Sequence, residues 1–140
     1  MVFFIAHTKL QNLRSKEIEL ELGSNIQDFK ILSSDRILVL GLKGIMLLIN
    51  FEGVVLKNFK IDLGGNFKTN TLALSFDYQY AVVSLYQIEQ ETPNLVLFQM
   101  EKDNFFICDC FNFKNILPYR KVNGENLEYN QFKAVSFANN

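Results

Sequence analysis

The sequence has little of several features that mark particular protein classes. Its 140 residues include one histidine and two cysteines, and 14 Lys and Arg against 15 Asp and Glu give a formal net charge of -1. Two cysteines cannot build a disulfide framework, and so small a charge creates no field that recruits nucleic acid or an acidic membrane. No apolar run approaches the roughly 18 residues of a membrane helix. Reduced thiols and the lack of an Asn-x-Ser/Thr sequon predict a cytoplasmic protein.

What the sequence does contain is apolar residues in short runs. Apolar residues make up 49% of the chain and charged residues 21%, a balance typical of a folded domain. The runs are short and are bounded by Gly, Asn, Asp or Pro, which favours strands over helices. In residues 17–22 strict alternation predicts a strand with Ile18, Leu20 and Leu22 on one face and three carboxylates on the other. The sequence therefore predicts an all-β fold.

Residues 26–62 are predicted to form a four-stranded antiparallel meander. The strands are expected at residues 26–32, 36–40, 45–50 and 54–61. Short turns at 41–44 and 50–53 would close the hairpins. Residues 36–40 and 45–49 are almost continuously apolar, which is typical of strands covered on both faces.

The same order of elements recurs in residues 71–113. Strands are expected at 72–75, 80–86, 95–100 and 105–111, with an insertion at 87–94. Aligning the two units makes Ser75 the equivalent of Ser33, 42 residues earlier, and Ser136 recurs at the end of a third apolar run. A hydroxyl at a strand end can bond the backbone of the following turn, so these serines are interpreted as structural.

The two ends of the sequence are expected to hold incomplete units. Residues 1–22 would supply the last two strands of a preceding unit, at 2–6 and 17–22, joined by a long polar connection at 7–16. Residues 127–140 would supply the first strand of a further unit. On this interpretation the chain starts and stops in the middle of a repeat.

A four-stranded meander that repeats at about 40 residues resembles the blades of a WD40-like β-propeller. Residues 29–50 carry most of the resemblance, and residues 26–113 are covered by it. The Trp-Asp pair that would close the third strand is replaced by Ile49-Asn50 in one unit and Gln99-Met100 in the other, and no Gly-His dipeptide precedes either unit. The units therefore resemble degenerate WD40-like blades in a partial propeller.

The resemblance implies a non-catalytic scaffold for protein–protein interaction. A closed propeller needs at least four blades, whereas this sequence offers two full blades and two partial ones. Apolar faces would then stay open, so the blades would belong to a larger ring or complex, completed by other blades or by self-association. Partner contacts are expected in the connections 7–16, 87–94 and 114–126. No membrane span or nucleic acid is expected.

Residues with reactive side chains are few, and the sequence nominates no catalytic, cofactor-binding or metal-binding residue. Cys108-x-Cys110 places two sulfurs on one side of a strand, but nothing supplies further ligands, and buried structural thiols are expected. The single histidine, His7, lacks a flanking nucleophile motif and is expected at the surface.

Three further patterns have a structural and a functional interpretation. Glu17, Glu19 and Glu21 are expected to form a solvated face that keeps a strand soluble, the alternative being a site for a basic partner or cation. Gly64-Gly65 is expected to form a turn between units. The mixture of Lys57, Lys60 and Lys68 with Phe59 and Phe67 is of the kind that binds single-stranded nucleic acid, but acidic residues interrupt it and core phenylalanines are expected here.

Alternative folds and functions remain open from the sequence. The meanders also suit an unrelated antiparallel sheet or sandwich. A small antiparallel β-barrel that carries a hydrophobic ligand also suits the strand number, with aromatic residues, 14% of the chain, lining its cavity. An enzyme is the least supported interpretation, because no carboxylate pair, metal cluster or activated nucleophile stands out.

Overall fold

The computed structural model of the chain describes residues 2–8, 12–87, 93–112, 120–122, 125–127 and 135–138. These residues form strands and turns without any helix, which confirms the all-β prediction. The strands are β1 (Val2–Thr8), β2 (Asn12–Ile18), β3 (Ile26–Ser33), β4 (Arg36–Gly41), β5 (Ile45–Asn50), β6 (Val55–Lys60), β7 (Phe67–Leu74), β8 (Tyr80–Gln87), β9 (Leu95–Glu101), β10 (Asn104–Phe111), β11 (Arg120–Val122) and β12 (Glu125–Leu127).

Strands β3 to β6 form the first of two four-stranded antiparallel meanders. The turn between β4 and β5 depends on Gly44, whose φ of 79° lies in the left-handed region that glycine adopts without strain. Asn50 organises the next turn, because its Oδ1 accepts hydrogen bonds from the amides of Glu52 at 3.0 Å and Val54 at 2.9 Å. Asn50 therefore closes the hairpin between β5 and β6 through its own side chain.

The inner two strands of this sheet are buried on both faces, as their continuous apolar sequence predicts. Leu38, Leu40, Met46 and Leu48 face the second sheet, and Ile37, Val39, Leu47 and Ile49 face the opposite way. Ile18 and Leu22 pack on that opposite face. Burial on both faces favours apolar side chains at every central position of these strands, which erases the usual alternation.

Strands β7 to β10 form the second meander in the same order. Its first strand starts at Phe67, earlier than the predicted residue 72, because the polar residues from 68 to 71 pair with β8 across a register shift. Leu72, Val83, Val96 and Phe98 point toward the first sheet and are almost completely buried. Burial of such a side chain contributes about 1.5–3 kcal/mol each.

The two sheets lie face to face with their strands in matching order. β3 lies beside β7, and the Phe59 ring of β6 meets the Phe98 ring of β9 edge-on, with centroids 5.6 Å apart. Polar contacts join the sheets as well: the hydroxyl of Thr69 in β7 donates to the carbonyl of Gly41 in β4 at 2.7 Å, and Arg36 of β4 forms an ion pair with Asp103 in the turn between β9 and β10. In the described part of the chain the eight strands of the meanders belong to two separate sheets, whereas a ligand-carrying barrel would need a single closed sheet.

The N-terminal hairpin differs from the prediction. β1 pairs with β2 from Val2↔Ile18 to Thr8↔Asn12, so strands occupy most of residues 7–16, where a long polar connection was expected. Residues 19–22 are outside any strand, although their predicted alternation of buried and exposed side chains is present. The prediction was wrong because polar residues can form a strand, and an apolar pattern does not reveal it.

The C-terminal part is described only in pieces. β11 pairs with β12 in a short hairpin, and residues 135–138 belong to no strand, helix or turn. Most of the expected strand in 127–140 lies outside the described residues. Nothing helical in the described part of the chain has the length and apolarity to cross a lipid bilayer.

Candidate functional site

The turn after the first strand of each sheet contains the same hydrogen bond. The Ser33 hydroxyl donates to Asp35 Oδ1 at 2.8 Å, and the Ser75 hydroxyl donates to Asp77 Oδ1 at 2.6 Å. The two Ser-x-Asp sequences are 42 residues apart, the spacing from which the repeat was inferred. The serines therefore have the turn-forming role that the sequence predicts.

The second of these turns is held by a larger network. Asp77 Oδ1 also accepts from the Gln79 amide at 3.0 Å, and Ser75 Oγ accepts from the Tyr80 amide at 2.9 Å. The Ser75 hydroxyl, followed by the Gln79 amide, lowers the pKa of Asp77 below its ordinary value of 3.8. Donors that point at the carboxylate stabilise its charged form. The turn is thus fixed by its own side chains.

This fixed turn presents two aromatic side chains to solvent. Phe76 is 86% exposed and Tyr78 is 50% exposed. Tyr78 has a φ of 56°, a left-handed conformation that costs a residue with a Cβ roughly 1–2 kcal/mol. The strand after the turn aligns with the first unit at a spacing of 43 residues in place of 42, and the turn is longer than its counterpart, with five residues between β7 and β8 against two between β3 and β4. The turn therefore combines a strained backbone position with two exposed rings.

A cavity of about 520 Å³ opens beside this turn, between the first strands of the sheets. Lys30 and Ile31 of β3 line one side, residues 71–74 of β7 line another, and Tyr78 and residues 135–137 complete it. The three segments that the repeat aligns by their serines therefore meet at one place. We call this the inner cavity.

The predicted burial of the two cysteines is wrong. Cys108 and Cys110 are both exposed and free. β10 is an edge strand of its sheet, and its register with β9 shifts between Ile107 and Asp109, so Cys108 occupies a bulge and the simple alternation is interrupted. Desolvation first, and the charge of Asp109 second, raise the pKa of Cys110.

The other singled-out residues lie apart from the inner cavity. His7 is paired with Leu13 in the backbone register of β1 and β2. Glu17, Glu19 and Glu21 are exposed, as predicted for a solvated face. Gly64 and Gly65 form the bend between β6 and β7, where the Gly64 amide donates to Asp62 Oδ1 at 3.3 Å, as expected for a turn between units. Among the described residues no group of three or more His, Cys, Asp and Glu side chains is arranged to hold a metal ion.

The mixed basic and aromatic residues separate into two environments. Phe59 packs in the core between the sheets, as expected for a core phenylalanine. Lys60 and Lys68 line a second cleft, together with Phe67, and Lys57 does not. Phe67 is therefore the ring of this pattern that lines the cleft, while Phe59 is part of the core.

The connections that were expected to hold partner contacts are only partly described. Residues 88–92 of the insertion and most of residues 114–126 lie outside the described residues. The exposed rings of Phe76 and Tyr78 were not predicted, because only Ser75 in this turn had a role in the repeat. The sequence does contain a signal that this turn differs from its counterpart: the spacing between aligned residues of the two units is 42 before the turn and 43 after it.

Comparison with known proteins gives no match: no family model, no curated protein and no solved structure is found to match the chain.

Proposed function

We propose that the chain is a non-catalytic protein-interaction module in which two WD40-like blades form part of a larger ring. Three relationships support the blade interpretation: the two meanders have the same strand order, their first strands lie side by side, and the Ser-x-Asp turn recurs after each first strand. Blades of a propeller stack in this way around a central axis.

The observation that carries the proposal is the apolar side of the second sheet that points away from the first. In the first sheet the inner strands β4 and β5 have apolar residues packed on both faces, and exposure is confined to edge-strand residues such as Phe29, Ile31 and Val55. The second sheet has a side that points away from the first, which we call the outer face. Its apolar residues are Val82, Leu95, Leu97, Phe106 and Phe111.

The outer face is open to water mainly at its edge strand β10, while Val82, Leu95 and Leu97 are half-buried. Phe106 is 51% exposed, and Phe111 is exposed as well. Within the described residues, no further four-stranded sheet covers this face. Repeat modules bury such a face against the next repeat. A further blade, supplied by another chain, another copy or additional sequence, fits this place.

A cytoplasmic location is part of the same proposal. The two cysteines are exposed and free, and thiols of this kind persist in a reducing compartment.

The proposal is tested by the mass of the native particle. We expect a particle heavier than one chain, and we expect Phe106→Arg to release single chains because it places a charge on the covered face. Phe76→Arg is the control, since it places the same charge on an aromatic that is not among the outer-face residues and is still more exposed, 86% against 51% for Phe106. A stable, cooperatively melting wild-type monomer contradicts the proposal.

A further inference from the structure

A cleft of about 480 Å³ lies on a different side of the molecule from the inner cavity. It opens between the turn that joins β4 to β5 and the connection that joins β6 to β7. We call it the basic cleft, and its main lining residues are Lys43, Lys60, Lys68, Asp62, Ile61 and Phe67.

The charge of the basic cleft contrasts with that of the chain. Three ammonium groups and one carboxylate surround it, whereas the whole chain has a net charge of -1. Asp62 already accepts a hydrogen bond from the Gly64 amide. None of the three lysines forms an ion pair with a carboxylate among the residues that the structure describes. Like charges around one cleft repel each other, so an anion there lowers the electrostatic energy.

The walls of the basic cleft are fixed by backbone hydrogen bonds. The Ile61 amide donates to the Gly44 carbonyl at 2.8 Å, which joins the connection to the turn. The Thr69 amide donates to the Leu42 carbonyl at 2.9 Å, which joins the turn to β7. A ligand therefore meets a preformed site and does not need to order it, which favours binding.

The floor of the basic cleft is apolar. Ile61 is buried, and the half-buried Phe67 ring packs against Gly44, where an added Cβ would lie 2.9 Å from Phe67 Cε2. An apolar floor with a rim of lysines is complementary to a peptide that carries an apolar side chain between carboxylates. A single inorganic anion would leave most of the volume unfilled.

We propose that the basic cleft binds an acidic segment of a protein partner, with an apolar side chain of that segment seated over Ile61 and Phe67. The inference deepens the proposed interaction role and rests on it. A protein partner is favoured over single-stranded nucleic acid because Phe59 is committed to the core, which leaves Phe67 as the one ring of the earlier basic and aromatic pattern at the cleft.

The test measures binding of a labelled peptide of sequence Glu-Glu-Leu-Glu-Glu to the full chain by fluorescence anisotropy, at low and at physiological salt. The matched control peptide has Gln in place of each Glu. We expect the acidic peptide to bind and the Gln peptide to bind roughly tenfold or more weakly. Chemical-shift changes are expected at the amides of Leu42, Lys43 and residues 65–68.

Protein variants locate the site. The triple variant Lys43→Gln, Lys60→Gln, Lys68→Gln is expected to lose about tenfold in affinity. The control is Lys57→Gln, an exposed lysine on the same strand as Lys60 that does not line the cleft, and it is expected to bind as the wild type does. Equal binding of both peptides, or wild-type affinity in the triple variant, overturns the inference. Tighter binding of a single-stranded oligonucleotide at the same lysines also overturns it.

The outcome is separable from that of the ring proposal. If the native particle is a single chain that binds the acidic peptide at these lysines, the ring proposal fails and the cleft proposal stands. If the wild type and the triple variant both form a larger particle and neither peptide binds selectively, the ring proposal stands and the cleft proposal fails.

Discussion

Asp28 of β3 accepts a hydrogen bond from the backbone amide of Leu72 in β7, with Oδ2 2.8 Å from the nitrogen. The same oxygen accepts from the Thr71 hydroxyl at 3.1 Å. A side chain of one sheet thus satisfies a backbone donor of the other. This contact fixes the two first strands side by side, next to the inner cavity, and it is specific in a way that apolar packing is not.

Asp28→Ala is expected to destabilise the fold by about 1–3 kcal/mol, because it leaves the Leu72 amide without its acceptor. Asp28→Asn keeps an acceptor oxygen and should cost less. Urea unfolding followed by circular dichroism measures both. Asp62→Ala is the control, since this exposed residue has a local bond to the Gly64 amide and should change stability by less than about 0.5 kcal/mol. Equal effects of Asp28→Ala and Asp62→Ala would contradict this role.

Gly44→Ala is expected to be more destabilising than Gly23→Ala. Both glycines have positive φ, 79° and 61°, so both variants incur roughly 1–2 kcal/mol of backbone strain. Only at Gly44 would the new Cβ meet a neighbour, Phe67 Cε2, at 2.9 Å. The overlap should add about 1–3 kcal/mol. Thermal melting of the two variants measures the difference, and equal melting temperatures would show that the contact with Phe67 is absent.

Ser75→Ala is expected to raise the pKa of Asp77 toward its ordinary value, because the Ser75 hydroxyl is the main group that lowers it. A carboxyl whose pKa is lowered by folding stabilises the fold above its unfolded pKa, and this stabilisation is lost as pH falls through the folded pKa. The wild type should therefore lose more stability than the variant as pH drops below 3.8. NMR titration of Asp77 and unfolding at several pH values test this. An unchanged titration would show that the hydroxyl does not hold the carboxylate.

Asp109→Asn is expected to speed alkylation of Cys110 at neutral pH. The charge of Asp109 is the second cause, after desolvation, that raises the pKa of this thiol. Removing that charge increases the thiolate fraction, and the thiolate is the reactive species. Mass spectrometry of peptides after timed iodoacetamide treatment measures the rate at Cys110. A rate unaffected by the substitution would leave desolvation as the sole cause.

The sequence predicted those parts of the fold in which side-chain pattern follows directly from burial. The runs at β4 and β5 had to be apolar because both of their faces are covered, and the meanders, turns and 42-residue spacing followed from them. Strand β2 was missed over most of its length because its pairing with β1 uses backbone groups that any sequence carries. The prediction that Cys110 is buried was wrong because a pattern of apolar neighbours does not reveal an edge strand with a bulge.

The candidate surfaces were less predictable than the fold. The left-handed conformation of Tyr78 and the hydrogen bond between Asp28 and Leu72 depend on how the two sheets pack. A tyrosine in a turn and a single polar residue in a strand do not reveal these features in the sequence. Lys60 and Lys68 were noticed, but Lys43 joins them only because the turn between β4 and β5 folds against β7.

The most direct test of the proposal that a further blade covers the outer face is hydroxyl-radical footprinting of the native particle at Phe106 and Phe76. In the structure these rings are 51% and 86% exposed. We expect Phe76 to be labelled and Phe106 to be protected by the neighbouring blade. Denaturation should restore the labelling of Phe106. Labelling of Phe106 in the native particle at the level that its 51% exposure implies would contradict the account.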